Sequence, residues 1–233
     1  MIAAAEWKTG LRARRLFFFN AAVPAALAAA VAFSDSPRPH AALVYTILFT
    51  FFGVFGSAIP LVRDAESGLL GRVLLTGIAP ARFVAERLAA QVALDAIQLA
   101  PALLLLGLAY RASPQELAAA ALALAAGLLA ANAIGVWVAV VARSIAEAAL
   151  FGATVALLAL HFAGVFRSPL PGSFSARVEP LLPFSALHDA VLALTGAATR
   201  PTLGAAAAAA GVIAVATAAF AAPLTRRLAR PAD

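Results

Sequence analysis

The polar residues inside long apolar segments are the first candidates for chemistry in this chain. Gln91, Asp95 and Gln98 are spaced by four and three residues, which places them on one stripe of a helix. An ionisable group inside a membrane is costly and often functional, so Asp95 could line a polar path or sense a proton. Alternatively, Asp95 lies within about two turns of Arg87 near the inner membrane surface, or it pairs with a polar group of another chain. The sequence leaves these alternatives open.

Three other polar residues, Asn20, Asn132 and His161, also lie within apolar segments. Asn20 and Pro24 indicate that the first segment packs against protein, because neighbouring helices must satisfy the freed polar groups. A lone histidine or asparagine in such a segment more often hydrogen-bonds to a neighbouring helix than binds a ligand. We therefore expect these side chains, and the stripe containing Asp95, to serve helix packing or a substrate pathway. His161 is expected deep in the fifth segment.

The classes of site that this sequence excludes are equally informative. Lys8 is the only lysine, and no G-x-x-x-x-G-K-[ST] motif occurs, so the chain has no phosphate-binding P-loop. The three histidines are scattered and cysteine is absent, which leaves no ligand pattern for a metal or a redox centre. No basic stripe with interleaved aromatic residues points to nucleic acid. We predict no catalytic residue, no metal and no cofactor in this chain.

Apolar segments separated by charged connections define the architecture. Hydrophobic residues make up 64% of the 233 residues, which leaves too little polar surface to coat a soluble protein. A bilayer core of about 30 Å requires about 20 apolar residues per helix, and backbone groups in lipid must be satisfied internally. The sequence predicts a single all-α integral membrane domain over residues 1–233, with six transmembrane helices at about 16–33, 41–62, 88–110, 117–142, 148–166 and 203–224.

The basic residues predict the orientation of these six spans. With the N-terminus in the cytoplasm, 12 of the 17 lysines and arginines fall on the cytoplasmic side and 5 on the other. Short cytoplasmic loops are enriched in lysine and arginine, so both termini are predicted inside. The basic excess also predicts contact with anionic lipid headgroups.

Two connecting segments have helical character of their own. Residues 3–15 form a basic amphipathic stretch that fits an N-terminal interfacial helix or a simple charged flank. The outer segment Arg167–Thr202 is rich in proline but contains the apolar stretch Phe184–Leu194, with His188 and Asp189 on its polar side. Eleven residues are too short to cross a bilayer, so we predict a re-entrant or interfacial helix before span 6.

The segment Arg63–Arg87 is the longest one predicted on the cytoplasmic side. Leucines recur at helical spacing from Leu69 to Leu75, and we interpret Asp64 and Glu66 as the acids that precede this helix and favour its N-terminus. Thr76 and Gly77 would end it. A short helix parallel to the membrane is suited to contact a soluble partner, and the alternative is a solvated connecting loop.

This segment resembles the signature that follows the second span of ABC-2-type transporter permeases. The resemblance lies in Glu66-Ser67-Gly68 followed by a leucine pair, then Thr76-Gly77, Pro80 and a basic entry to the third span, here Arg87. In that family the segment is the coupling helix that contacts the ATPase subunit. The resemblance therefore implies that the partner-binding residues are Asp64, Glu66, Ser67, Gly68, Leu70, Arg72, Leu74 and Leu75.

By the same resemblance, the chain would be the permease subunit of an ATP-driven exporter in the bacterial inner membrane. A second permease subunit and a separate ABC ATPase, which binds the ATP and magnesium, would be its partners. The substrate is not encoded in any recognisable pattern. An ion-coupled secondary transporter and a non-transporting structural subunit of a membrane complex remain the alternatives.

Overall fold

The computed structural model describes residues 7, 14–34, 37–196 and 202–228. Within these residues the fold consists of helices and turns, with no β-strand. The predicted N-terminal interfacial helix falls outside the described residues, except for Trp7, Arg14 and Arg15. The all-helical class predicted from the sequence is confirmed.

Five long or medium helices and one short helix form the described chain up to Phe162. In chain order they are α1 (Arg14–Ala32), α2 (Arg38–Glu66), α3 (Leu69–Leu74), α4 (Pro80–Ala109), α5 (Pro114–Val141) and α6 (Ile145–Phe162). The remaining elements are α7 (Phe174–Val178), a 3₁₀ turn (Glu179–Leu181), α8 (Pro183–Leu194), α9 (Leu203–Ala219) and α10 (Ala221–Leu228).

The predicted number of six spans is not confirmed by the lengths of the described helices. Four described helices, α2, α4, α5 and α6, are long and apolar enough to cross a membrane, and a fifth span results if α9 and α10 count as one. The last two helices meet at an angle of 60°. Pro223 explains the bend, because it lacks the backbone N–H that would continue α9. The first predicted span appears as a shorter apolar helix, Phe17–Ala32.

Local signals in the sequence explain where several helices begin. At the start of α5, the Ser113 side chain accepts a hydrogen bond from the Glu116 backbone N–H (3.3 Å), and the Glu116 carboxylate accepts one from the Ser113 N–H (2.7 Å). This capping box satisfies N–H groups that have no partner within the helix. Ser144 caps α6 by accepting from the Glu147 N–H. The helix that contains the predicted span 117–142 therefore begins at Pro114.

α5 is the centre of the bundle and contacts α2, α4, α6, α8, α9 and α10. Small residues allow α2 and α5 to approach closely. A Cβ added to Gly53 would lie 2.7 Å from Ala131 Cβ, and one added to Gly135 would overlap the Val54 carbonyl oxygen. Membrane helices associate through such close contacts because apolar burial alone gives no advantage over lipid.

The helix predicted within the outer segment exists and is largely buried. α8 is 12 residues long and packs against α2 and α5, with Phe184, Leu187, Val191 and Leu194 almost inaccessible. At about 1.5 Å per residue it is too short to span a bilayer. Because the helices alternate in direction, α8 lies at the end of the bundle opposite to α3.

Candidate functional site

The connection between α2 and α4 is shorter than the sequence indicated. Asp64 and Glu66 precede the short helix, as predicted, but they lie in the last turn of α2, which ends at Glu66, and not in a connecting loop. The next long helix begins at Pro80, so Arg87 lies two turns inside α4. The reason is that no glycine or proline occurs between Val62, where the predicted span ends, and Gly68, and charged residues alone do not end a helix.

Asp64 joins α2 to α4 through a buried ion pair. Arg87 Nη2 donates to Asp64 Oδ2 at 2.7 Å, and both side chains are only about one-tenth exposed (11% and 12%). The Arg87 guanidinium also lies 5.9 Å from the centre of the Phe83 ring. Such a pair fixes geometry, because separating the charges would leave each one desolvated.

Two glycines with positive φ set the limits of α3. Gly68 has φ +68° and ends α2 while also preceding the first residue of α3, and Gly77 has φ +80° just beyond the end of α3. This left-handed conformation costs an L-residue free energy but is accessible to glycine. The six-residue helix between these two turns projects from this end of the bundle. We call residues 66–77 the α3 segment. The predicted end of the helix at Thr76 and Gly77 is confirmed.

α3 has a face buried in the helix bundle and a face directed outwards. Leu70 is 1% exposed and packs in a cluster with residues of α2, α4 and α10, while Val73 and Leu74 are partly buried against the same cluster. On the other side, Leu69 is 44% exposed and Leu75 87% exposed. Of the leucines predicted to bind a partner, Leu70 and Leu74 therefore anchor the helix and Leu75 is available for contact.

The remaining predicted contact residues are distributed around this projection. Glu66, Ser67, Gly68 and Arg72 are exposed, and Asp64 is buried. Ser67 Oγ donates to the Asp64 carbonyl oxygen at 3.2 Å, which closes the turn after α2. The accessible surface of the α3 segment thus combines an acid, an arginine and two leucines.

A second polar cluster lies in the middle of the bundle and contains Asp95. Gln91 Nε2 donates to Asp95 Oδ1 at 2.8 Å, and Asn132 Nδ2 donates to Asp95 Oδ2 at 2.8 Å. Ser57 Oγ in turn donates to Asn132 Oδ1 at 2.6 Å. Asp95 and Asn132 are almost completely buried. This cluster, Ser57–Asn132–Asp95–Gln91, joins α2, α4 and α5.

Other residues predicted for a pathway lie apart from the cluster or at its margin. Gln98 is buried one turn further along α4, and Asn20 is partly buried in α1, which packs along α4. The prediction for His161 is wrong: it lies exposed in the last turn of α6, because the chain turns at Gly164 (φ +74°) and ends the helix at Phe162. His161 is therefore not part of the buried polar cluster.

Several hydrogen bonds between helices could not be predicted from the sequence pattern. Ser57 was missed because a serine in an apolar run is common, and only its partner Asn132 reveals its role. Thr46 Oγ1 lies 3.2 Å from His188 Nδ1, which joins α2 to α8. Trp137 Nε1 donates to Thr217 Oγ1 at 3.1 Å, which joins α5 to α9. Among the described residues, no group of three or more acidic or histidine side chains is placed to hold a metal ion.

Comparison with known families accounts for this arrangement of helices. The family model for the ABC-2 family transporter protein matches residues 30–222, which covers α2 to α9 and the connection that contains α3. The chain belongs to the ABC-2 transporter family. No curated protein and no solved structure matches it. As an ABC-2 permease, it is an integral membrane component of an ABC transporter and a partner of an ABC ATPase subunit.

Proposed function

We propose that this chain is the permease subunit of an ATP-driven exporter, and that its exposed α3 segment is the surface on which the ATPase subunit docks. The observation that supports this most directly is the division of α3 into a face buried in the permease and a face with Leu69, Arg72 and Leu75 exposed. Leu69 and Leu75, 44% and 87% exposed, place apolar surface next to the exposed Arg72, and apolar surface rimmed by polar residues is typical of a protein contact.

The buried face would transmit force from the ATPase to the spans. Leu70 packs with Leu61 and Val62 of α2 and with Val84 and Leu88 of α4. The ion pair between the same two helices adds a polar link that resists sliding. Closure of the ATPase pair on ATP would push α3 and tilt α2 and α4 together as rigid bodies.

Co-expression with the cognate ATPase tests this docking surface. Leu75→Asp should lower ATPase capture by at least tenfold, since placing a carboxylate in an apolar contact costs more than about 1.4 kcal/mol. Leu181→Asp is the matched control, because Leu181 is 64% exposed and lies at the opposite end of the bundle. Equal capture by both variants would eliminate α3 as the docking surface.

The proposed topology places α3 and both termini in the cytoplasm and completes six spans with α1. The 12:5 distribution of basic residues supports this orientation. The chain has no cysteine, so single substitutions Ser67→Cys and Leu170→Cys can be labelled without background. Both sites are exposed and lie at opposite ends of the bundle. A membrane-impermeant reagent should label Leu170→Cys in intact cells and Ser67→Cys only after lysis.

A second permease subunit would complete the transport pathway. α6 supports this proposal because only 22% of its residues are buried, against 61% in the most apolar part of α5. Leu150, Leu157 and Leu158 remain exposed on it, so α6 has apolar surface available to another chain as well as to lipid. Mass photometry of the purified protein in nanodiscs would distinguish two copies from one.

A further inference from the structure

An apolar groove of about 400 Å³ opens between the end of α5 nearest α3 and the middle of α6. Its α5 wall runs from Ile134 to Val141, and its α6 wall consists of Phe151, Thr154 and Val155. The α5 wall covers two helical turns, about 10 Å of helix rise. The groove lies along two helices that are each long and apolar enough to cross the membrane.

The groove offers no hydrogen bond to an occupant. Thr154 Oγ1 donates to the Leu150 carbonyl oxygen at 2.9 Å, within its own helix. Trp137 Nε1 donates to Thr217 Oγ1, and Thr217 Oγ1 donates to the Ile213 carbonyl oxygen at 2.8 Å. Both polar side chains of the wall are therefore already satisfied, so an occupant must be apolar where it contacts the groove.

Basic side chains lie at the mouth of the groove, in contrast to its apolar walls. Arg143 follows Val141 by two residues in the turn before α6, and its side chain is exposed. The carboxylate of Glu147 accepts a hydrogen bond from the Arg143 backbone N–H at 2.7 Å, so this acid is directed towards the backbone. α10, which begins next to Phe220 and Trp137, adds the exposed Arg226 and Arg227 at the same end of the bundle.

We propose that this groove binds an anionic phospholipid, with one acyl chain between α5 and α6 and the headgroup phosphate at Arg143. The combination of an apolar slot within the spans and an arginine at the level of the helix ends matches the two parts of a lipid. Arginine is suited to phosphate because its guanidinium presents several donors in one plane. Trp137, 40% exposed in the groove wall, is of the residue type enriched near the membrane surface.

The acyl-chain contact can be tested with photoactivatable phospholipids that have a diazirine on the acyl chain. The full-length protein is reconstituted in nanodiscs of phosphatidylcholine and phosphatidylglycerol at 3:1, irradiated, and mapped by peptide mass spectrometry. We expect labelling concentrated around Phe151–Val155. Thr154→Trp fills the groove and should reduce this labelling at least fivefold, whereas Leu104→Trp, at an exposed position of α4 outside the groove, should leave it unchanged. Thr154→Leu provides a milder filling variant if the tryptophan impairs folding.

The headgroup contact requires a comparison of two lipids. Arg143→Gln should reduce the preference for the phosphatidylglycerol probe over the phosphatidylcholine probe about fivefold, the size expected for one basic side chain at an anionic surface. Arg111→Gln is the control, because Arg111 is an exposed arginine in the turn at the opposite end. Thermal unfolding of each variant verifies that the fold is retained.

Two results would overturn the proposal. Labelling spread evenly over the exposed face of α6, and unaffected by Thr154→Trp, would mean that only ordinary bilayer lipid contacts this surface. Disulfide-linked dimers of a Thr154→Cys variant, formed at high yield in the membrane, would mean that a second copy of the chain covers the groove.

Discussion

Asp64 at the end of α2 and Arg87 within α4 form an ion pair of 2.7 Å beneath the short helix α3. The two residues lie 23 positions apart, on either side of the segment that projects from the bundle. Neither side chain reaches an ATPase docked on the exposed face of α3, since both are buried. The pair therefore holds α2 and α4 in a fixed relation next to the start and end of the α3 segment.

Removing one member of this pair should destabilise the permease. Asp64→Leu leaves the Arg87 guanidinium buried next to an apolar side chain, and loss of one partner of a buried pair typically costs about 3–5 kcal/mol. The double variant Asp64→Leu/Arg87→Leu should recover much of this loss, because no charge remains desolvated. Thermal unfolding of the purified variants measures both effects. A double variant less stable than the single one would mean that the pair acts through other contacts.

Two glycines in the α3 segment make a matched pair for a second prediction. Gly68 has φ +68°, whereas Gly71 lies within α3, and neither would bring an added Cβ within 4 Å of another atom. Gly71→Ala should therefore be tolerated and slightly stabilising, because alanine is favoured over glycine inside a helix by about 1 kcal/mol. Gly68→Pro should displace α3, because proline fixes φ near −65°.

The readout for this pair is capture of the ATPase together with ATPase activity in the assembled complex. We expect Gly68→Pro to lose both while still inserting into the membrane, and Gly71→Ala to retain both. Normal capture by Gly68→Pro would show that the orientation of α3 does not matter for docking.

The sequence was sufficient to predict the long helices, because apolar length and the requirement for internal hydrogen bonds in lipid leave few other structures. The ends of the helices were predicted less accurately. Charges at residues 63–66 suggested a loop, but α2 continues until Gly68 adopts a left-handed conformation. In the same way, apolar residues up to Phe166 extended the fifth predicted span beyond Gly164, where the chain turns.

The composition of the candidate sites was predictable only in part. Gln91 and Asp95 share a helix, so their spacing alone placed them together, and the structure joins them at 2.8 Å. Asn132 and Ser57 come from two other helices, and no local pattern specifies which faces of those helices meet. The same limit applies to α3, where helical spacing defined an apolar face but not whether that face contacts the permease or a partner.

The position of Gly56 beside Asp95 supports a third prediction, on the buried polar cluster. A Cβ on Gly56 would lie 2.7 Å from Asp95 Oδ2, so Gly56→Ala should displace the carboxylate and weaken its bond from Asn132. Hydrogen bonds between membrane helices contribute about 0.6 kcal/mol on average, so the steric shift should account for most of the destabilisation. Gly211→Ala is the control, because Gly211 has open space around it.

Thermal unfolding in the same detergent distinguishes these effects. We expect a clearly lower midpoint for Gly56→Ala, little or no change for Gly211→Ala, and a smaller loss for Asn132→Ala than for Gly56→Ala. Gly53 and Gly56 both contact helices of their own chain, so substitutions at these positions test the folding of a single subunit. A midpoint for Gly56→Ala equal to that of the unmodified protein would mean that Asp95 can move without cost.

The carboxylate of Glu179, in the outer segment, supports a prediction on pH. Burial raises its pKa above the ordinary value of 4.5, and the Asp189 carboxylate raises the pKa further. The folded state therefore binds this proton more tightly than the unfolded chain, so the stabilisation present below pH 4.5 is lost as the pH rises through the folded-state pKa.

Glu179→Gln, which resembles the protonated form, should raise the unfolding midpoint at pH 7.5, and the gain should shrink towards pH 4.5. The double variant with Asp189→Asn should gain less than the sum of the single variants, since each removes the same repulsion. A gain of equal size at both pH values would show that packing, and not charge, is responsible.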